Sequence, residues 1–177
     1  ETEEPFTLVK YMDCKNLENA PLFANSTLVI VNCENFYPVF RPDMRFENVV
    51  VGQRRISSVF FNNLNCLQLQ LVSCIYENEI LYLIKCVADK LYLINSKVKS
   101  VIFPEGVKEV AFDDVKKLKQ LILKPGINEV SIGNCPDLAD IKSEEGKLRL
   151  LKVVNSGKYY LAIPSASRLE LHDLDLE

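Results

Sequence analysis

The chain has 177 residues and is 48% apolar, enough for one domain with a substantial core. Against 21 Lys and Arg stand 24 Asp and Glu, a net charge of −3, which argues against the basic footprint of a nucleic-acid binder. No apolar run approaches the ~18 residues of a membrane-spanning helix, and a single His with no Trp excludes chemistry that needs several imidazoles.

In chain order, the acidic start Glu1-Thr2-Glu3-Glu4 and Cys14 fall in a segment, residues 1–24, that reads as an N-terminal cap; residues 25–177 read as one repetitive body. Asn25-Ser26-Thr27 is a glycosylation acceptor triplet, with Asn25 as the acceptor. Pairs of apolar residues separated by one position then recur: Leu28/Ile30, Val49/Val51, Val59/Phe61, Leu69/Leu71, Leu81/Leu83 and Leu91/Leu93. The middle of the chain adds a three-residue lead-in, as in Val98-x-x-Val101-x-Phe103, Val107-x-x-Val110-x-Phe112, Leu118-x-x-Leu121-x-Leu123 and Ile127-x-x-Val130-x-Ile132. Ile141, Leu148/Leu150, Leu161/Ile163 and Leu169/Leu171 close the series. The alternation has the strand period of two, in residues that favour strands. Pro104-Glu105-Gly106, Lys124-Pro125-Gly126, Asn134-Cys135-Pro136 and Asn155-Ser156-Gly157 supply turns between the strands. Helical spacing is weak and confined to residues 60–66 and 112–120.

Short strands at a ten-residue step fit either an antiparallel sandwich or a parallel solenoid with two strands per coil. Three features favour the solenoid. The lead-in keeps its phase, which a meander of alternating strand direction has no reason to do. Val101, Leu121, Ile141 and Leu161 are spaced by twenty. A small residue follows five positions after the first apolar one: Cys33, Cys74, Cys86, Ser96 and Cys135. Such a side chain fits beneath the bend where the chain leaves the sheet and can meet backbone groups freed there.

Cys66-x-x-Leu69-x-Leu71-x-x-Cys74 and Ile127-x-x-Val130-x-Ile132-x-x-Cys135 resemble the leucine-rich repeat. Phe103-Pro104 and Ile163-Pro164 are similar to repeats of surface-antigen type. The stretch from Cys14 to Ile30 resembles the cysteine-bearing cap of secreted repeat proteins, and Phe46 to Leu71 the irregular repeats of secreted arthropod proteins. The implied fold is mainly β, a leucine-rich-repeat-like parallel solenoid with two short strands per ~20-residue coil and little helix. Most coils lack the consensus Asn, and the return segment is too short for a helix. The resemblance further implies an extracellular recognition protein of immune, salivary or adhesion type, made with a signal segment and binding a protein partner. Within that picture a Cys14–Cys33 disulfide would staple the first coil, adding ~3 kcal/mol. Cys66 and Cys86, twenty apart, would stack on neighbouring coils as a disulfide or as a buried thiol pair.

Catalytic signals are thin. His172 is the only imidazole and stands near the end. There is no phosphate loop and no Cys-x-x-Cys, so no cofactor or metal site is expected. The acid pairs Asp113-Asp114, Glu144-Glu145 and Asp173/Asp175 read as solvated turns, because neighbouring strand residues point to opposite faces. Arg41, Arg45, Arg54 and Arg55, and Lys116, Lys117 and Lys119, read as solubilising edges. The outward positions say more: Tyr82, Ile84, Tyr92 and Ile94, with Ile102 and Ile122 on following coils, would form an apolar partner-binding face. The expectation is a non-enzymatic recognition module. The alternatives are a cytosolic substrate adaptor with reduced thiols and a carbohydrate-active β-helix enzyme with facing carboxylates.

Overall fold

A segment such as Val110-Ala111-Phe112 offers two side chains to a core and one to the outside. Strands this short cannot bury that edge alone and must be stacked on copies of themselves. The computed structural model describes residues 7–17, 20–157 and 161–174, and stacks them as a parallel β-solenoid. In chain order the strands are β1 (Leu8–Met12), β2 (Thr27–Val31), β3 (Arg45–Gly52), β4 (Arg55–Ile56), β5 (Asn65–Val72), β6 (Ile75–Tyr76), β7 (Ile80–Tyr82), β8 (Val87–Lys97), β9 (Ser100–Ile102), β10 (Glu109–Lys116), β11 (Gln120–Leu123), β12 (Glu129–Gly133), β13 (Asp140–Ser143), β14 (Lys147–Val154) and β15 (Ser165–His172).

Nine of them form one sheet in the order β1-β2-β3-β5-β8-β10-β12-β14-β15, every pairing parallel. Eight strand spacings make a rod about 38 Å long. The remaining strands pair across coils as three separate two-stranded sheets: β4-β6 sits just past the main sheet, and β7-β9 and β11-β13 make a discontinuous second layer. The ten-residue step in the sequence therefore alternates between layers, and the twenty-residue step returns to the same one. The spacing by twenty is register within each second-layer pair, Leu81 beside Val101 and Leu121 beside Ile141; Leu161 falls out of it, because Asp140 bridges to Ala162.

Register builds the core as ladders. Leu28, Val49, Leu69, Leu91, Val110, Val130 and Leu151 stack in one, and Ile30, Val51, Leu71, Leu93, Phe112, Ile132 and Val153 in the next, all 0–1% exposed. The lead-in has a mechanical origin. The ladder skips Glu47/Leu67 and Arg149/Ser167, and Phe46 and Val49, three residues apart, are both buried across the bend.

A turn ladder marks the end of each strand of the main sheet, inside the last residues of β8 and β10 and just past the others. Asp13, Asn32, Gln53, Ser73, Asn95, Asp114, Asn134, Asn155 and Asp173 all adopt φ between 44° and 54°. Seven of these are Asn or Asp, which tolerate that left-handed region best among residues with a side chain. Their side chains stack as well: Asn32 Nδ2 donates to Asp13 Oδ1 at 2.6 Å and Asn155 Nδ2 to Asn134 Oδ1 at 2.8 Å. The next residue is the small one. Cys33, Ser96, Cys135 and Ser156 each donate to the carbonyl two positions back, at 3.2, 3.1, 3.1 and 2.8 Å.

Several expectations are corrected. Residues 112–120 are the end of β10 and a turn, and residues 60–66 are turns leading into β5, because the apolar positions there belong to the stacking period. The described residues contain one short 3-10 turn, Glu77–Glu79. Val59 is 63% exposed in a turn, and the inward pair in β14 is Leu148 and Leu151, because the bend shifts the phase past Leu150. Cys86 leaves the turn ladder, since it follows the second-layer strand β7. The expected cap contains β1, which pairs with β2 as the first coil. Glu1 to Glu4 and Asp175 lie outside the described residues.

Candidate recognition surfaces

The outward side chains proposed as one face divide between the two layers. β7 pairs with β9, so Tyr82 stands beside Ile102. β11 continues the layer with Ile122 outward. Tyr82, Ile84 and Ile122 are 40%, 59% and 49% exposed, and Ile102 is half-buried. They form an apolar stripe along the solenoid axis. Tyr92 and Ile94 project instead from β8 on the nine-stranded sheet, where parity likewise points them outward. The sequence period separates inside from outside but carries no label for the layer.

On that sheet Tyr92 and Ile94 wall a shallow concavity of ≈ 300 Å³. Its floor is small, Ala111, Ser131 and Gly133, and its far wall is Lys152 and Val154. Gly133 keeps the floor open for Asp113: a Cβ there would lie 2.9 Å from Asp113 Oδ1. Tyr92 is held in place, its hydroxyl donating to Glu109 Oε1 at 2.9 Å. Partial burial, and then the Glu109 carboxylate, raise the Tyr92 pKa. Glu109 and Glu129 stand side by side in register, so carboxylates do face each other here. Each is engaged by a cation, Glu109 by Lys90 at 3.2 Å and Glu129 by Arg149.

The cysteines are all free, with no two sulfurs at bonding distance. Cys14 and Cys33 occupy adjacent coils, and the Cys14 N–H points at Cys33 Sγ, 3.4 Å away. Their thiols touch each other without bonding and also meet carbonyls: Cys14 Sγ donates to Met12 O at 3.3 Å, and Cys33 Sγ lies 3.2 Å from Val31 O and 3.3 Å from Tyr11 O. Cys66 pairs in register with Ala88, and its thiol lies near that of Cys86, both buried and free, so the two are neighbouring thiols and not a disulfide. Burial pushes the Cys66 thiol up to about 12, that of Cys135 to about 11 and that of Cys86 higher still. These are inert core groups.

Asn25 is exposed at a turn with φ 58°, its backbone N–H bonded to Arg45 O at 2.7 Å. His172 is exposed at the end of β15. Of the acid pairs, Asp113 accepts from Asn134 Nδ2 at 2.8 Å, Asp114 faces Lys116 at 3.6 Å, and Glu144 and Glu145 are exposed in a turn. Arg41, Arg45 and Arg55 are exposed, as are Lys116, Lys117 and Lys119.

Two groups were not legible beforehand. Arg54, grouped with surface arginines, is 3% exposed. It fills the small-residue position of its coil and turns inward, donating from Nη1 to Cys33 O at 2.9 Å and Phe36 O at 2.6 Å. Its guanidinium lies 4.3 Å from the Phe60 ring centre. Burial lowers its pKa, and no ion pair compensates it among the described residues. Glu79 receives both Lys117 and Lys99, the latter at 2.7 Å, and their hydrogen bonds hold its carboxyl down at about 2.

The chain matches no protein-family model, no curated protein and no solved structure.

Proposed function

We propose that the chain is a non-enzymatic recognition module that binds a protein partner through the stripe Tyr82–Ile84–Ile102–Ile122 of the second layer. The observation that carries this reading is a set of large apolar side chains on the outer side of consecutive coils: Tyr82, Ile84 and Ile122 exposed, and Ile102 half-buried in register beside Tyr82. Isolated exposed apolar residues are ordinary, but a contiguous row marks an interaction site. A rigid scaffold presents it at little entropic cost, and Tyr82 is the residue type favoured as an interface anchor. Glu109 and Glu129, the facing carboxylates, are both occupied by cations, which favours binding over glycoside hydrolysis. On this reading the fold is an irregular solenoid of leucine-rich type, and the exposed Asn25 of the acceptor triplet supports an extracellular setting. Six free thiols favour a second placement, an adaptor in a reducing compartment.

The test is affinity capture with wild type and with a Tyr82→Ala/Ile122→Ser variant, read by quantitative mass spectrometry. The reading expects a partner retained by wild type and by Tyr92→Ala but lost from the double variant. Both variants should melt within about 4 °C of wild type. A partner captured equally by the double variant, or a melted double variant, would contradict it.

A further inference from the structure

Among the described residues, β15 carries an apolar edge that nothing covers. Leu169 and Leu171 sit in register with the fully buried Leu151 and Val153, yet they are 47% and 37% exposed. No described residue pairs with the outer edge of β15. An open row of N–H and C=O groups therefore stands beside two apolar side chains. Such an edge is a template for another strand, and a solenoid end needs a cap.

We propose that a second copy of this chain caps it, with β15 against β15 antiparallel about a two-fold axis at Leu169. The register follows from parity and charge. Opposed residues in an antiparallel pair point to the same face, so the axis passes through a residue rather than between two. An axis at Arg168 would oppose that arginine to itself, and one at Glu170 would oppose two carboxylates. Like charges directly opposite destabilise a pair. An axis at Leu169 brings Leu169 to Leu169 inside and Arg168 to Glu170 twice outside. Arg168 Nη2 already lies 2.6 Å from Glu170 Oε1 within its own strand, and Lys152 Nζ 3.8 Å from Glu170 Oε2, so pairing alternates the four charges of the two strands with a Lys152 flanking each side. The self-complementary patch is what a closed two-fold dimer requires. The rival, a head-to-tail stack on β1, would match Glu170 with Lys10 and leave Arg168 against Leu8.

Light scattering on the 177-residue chain at about 100 µM, where a micromolar contact is populated, tests this. Wild type should show twice the 20.2 kDa of one chain. Glu170→Arg should return the mass to one chain, and R168E/E170R, which restores the pairing with reversed polarity, should return the dimer. Leu169→Asp should be monomeric, and circular dichroism should show every variant folded. A monomeric wild type, a dimer indifferent to Glu170→Arg, or a double reversal that stays monomeric would overturn the proposal. The last result is the one expected of contact with Lys10.

Discussion

At position 54 an arginine stands where other coils place cysteine or serine, and the substitution changes what the turn needs. A thiol reaches a carbonyl of its own strand and at most one of the coil before it; Arg54 reaches three carbonyls of that preceding coil, those of Cys33, Phe36 and Glu34. Removing it strands those acceptors in a dry interior and opens a cavity. Arg54→Ala is therefore expected to cost about 3 kcal/mol in urea unfolding; a loss below ~1 kcal/mol would mean that water replaces it. Glu79 gives a pH dependence with a definite sign. Its folded pKa, about 2, lies below its ordinary value of 4.5, so the unfolded chain binds the proton first as pH falls. The stabilisation is complete above 4.5 and disappears as pH drops to about 2. The melting difference between wild type and Glu79→Gln should shrink across that window, and a difference constant with pH would contradict the Lys99 and Lys117 pairing. Neither residue was readable in advance. Arg54 looks like its charged neighbours in sequence, and Glu79 meets Lys117 across 38 positions. The thiols make a third case. Cys14 is the one cysteine not buried, so native alkylation should modify it first while Cys66, Cys86 and Cys135 react only on unfolding. Rapid labelling of all six would show that the coils open.

For the individual coil, the informative quantity is its period. The sequence shows steps of nine to twelve residues, and the structure explains why two such steps make one unit: the first strand belongs to the main sheet and the second to the other layer. Deleting residues 109–128 should then place Glu129 in the register of Glu109 and leave a folded rod one coil shorter. Deleting residues 109–118 brings a second-layer strand into the main sheet and should abolish cooperative unfolding. Equal tolerance of both deletions would contradict the two-layer coil. Much of this was legible. Alternation gave the buried ladders, and the fixed lead-in gave parallel direction. The recurrent small residue pointed to the turn hydrogen bonds seen at Cys33, Ser96 and Cys135. What was not legible was the layer of each strand, since alternation reads the same in both. That is why Tyr92 and Ile94 were grouped with Tyr82 and Ile84, and Cys86 with the turn ladder.

Across the whole molecule, stability and function occupy different places. Stacked apolar ladders fill the rod, whereas the second layer's stripe, the concavity beside Tyr92 and the open edge of β15 are all outside it. Each of the proposed surfaces depends on parallel, in-register coils, because only that arrangement sets Tyr82 beside Ile102 and leaves Leu169 bare. The most direct measurement is a set of nuclear Overhauser contacts in the folded chain. The account predicts parallel-strand contacts linking Leu91 to Val110, Val110 to Val130 and Leu81 to Val101. Antiparallel contacts between successive strands, with Val101 close to Val110 across a hairpin, would contradict it and dissolve the stripe with it.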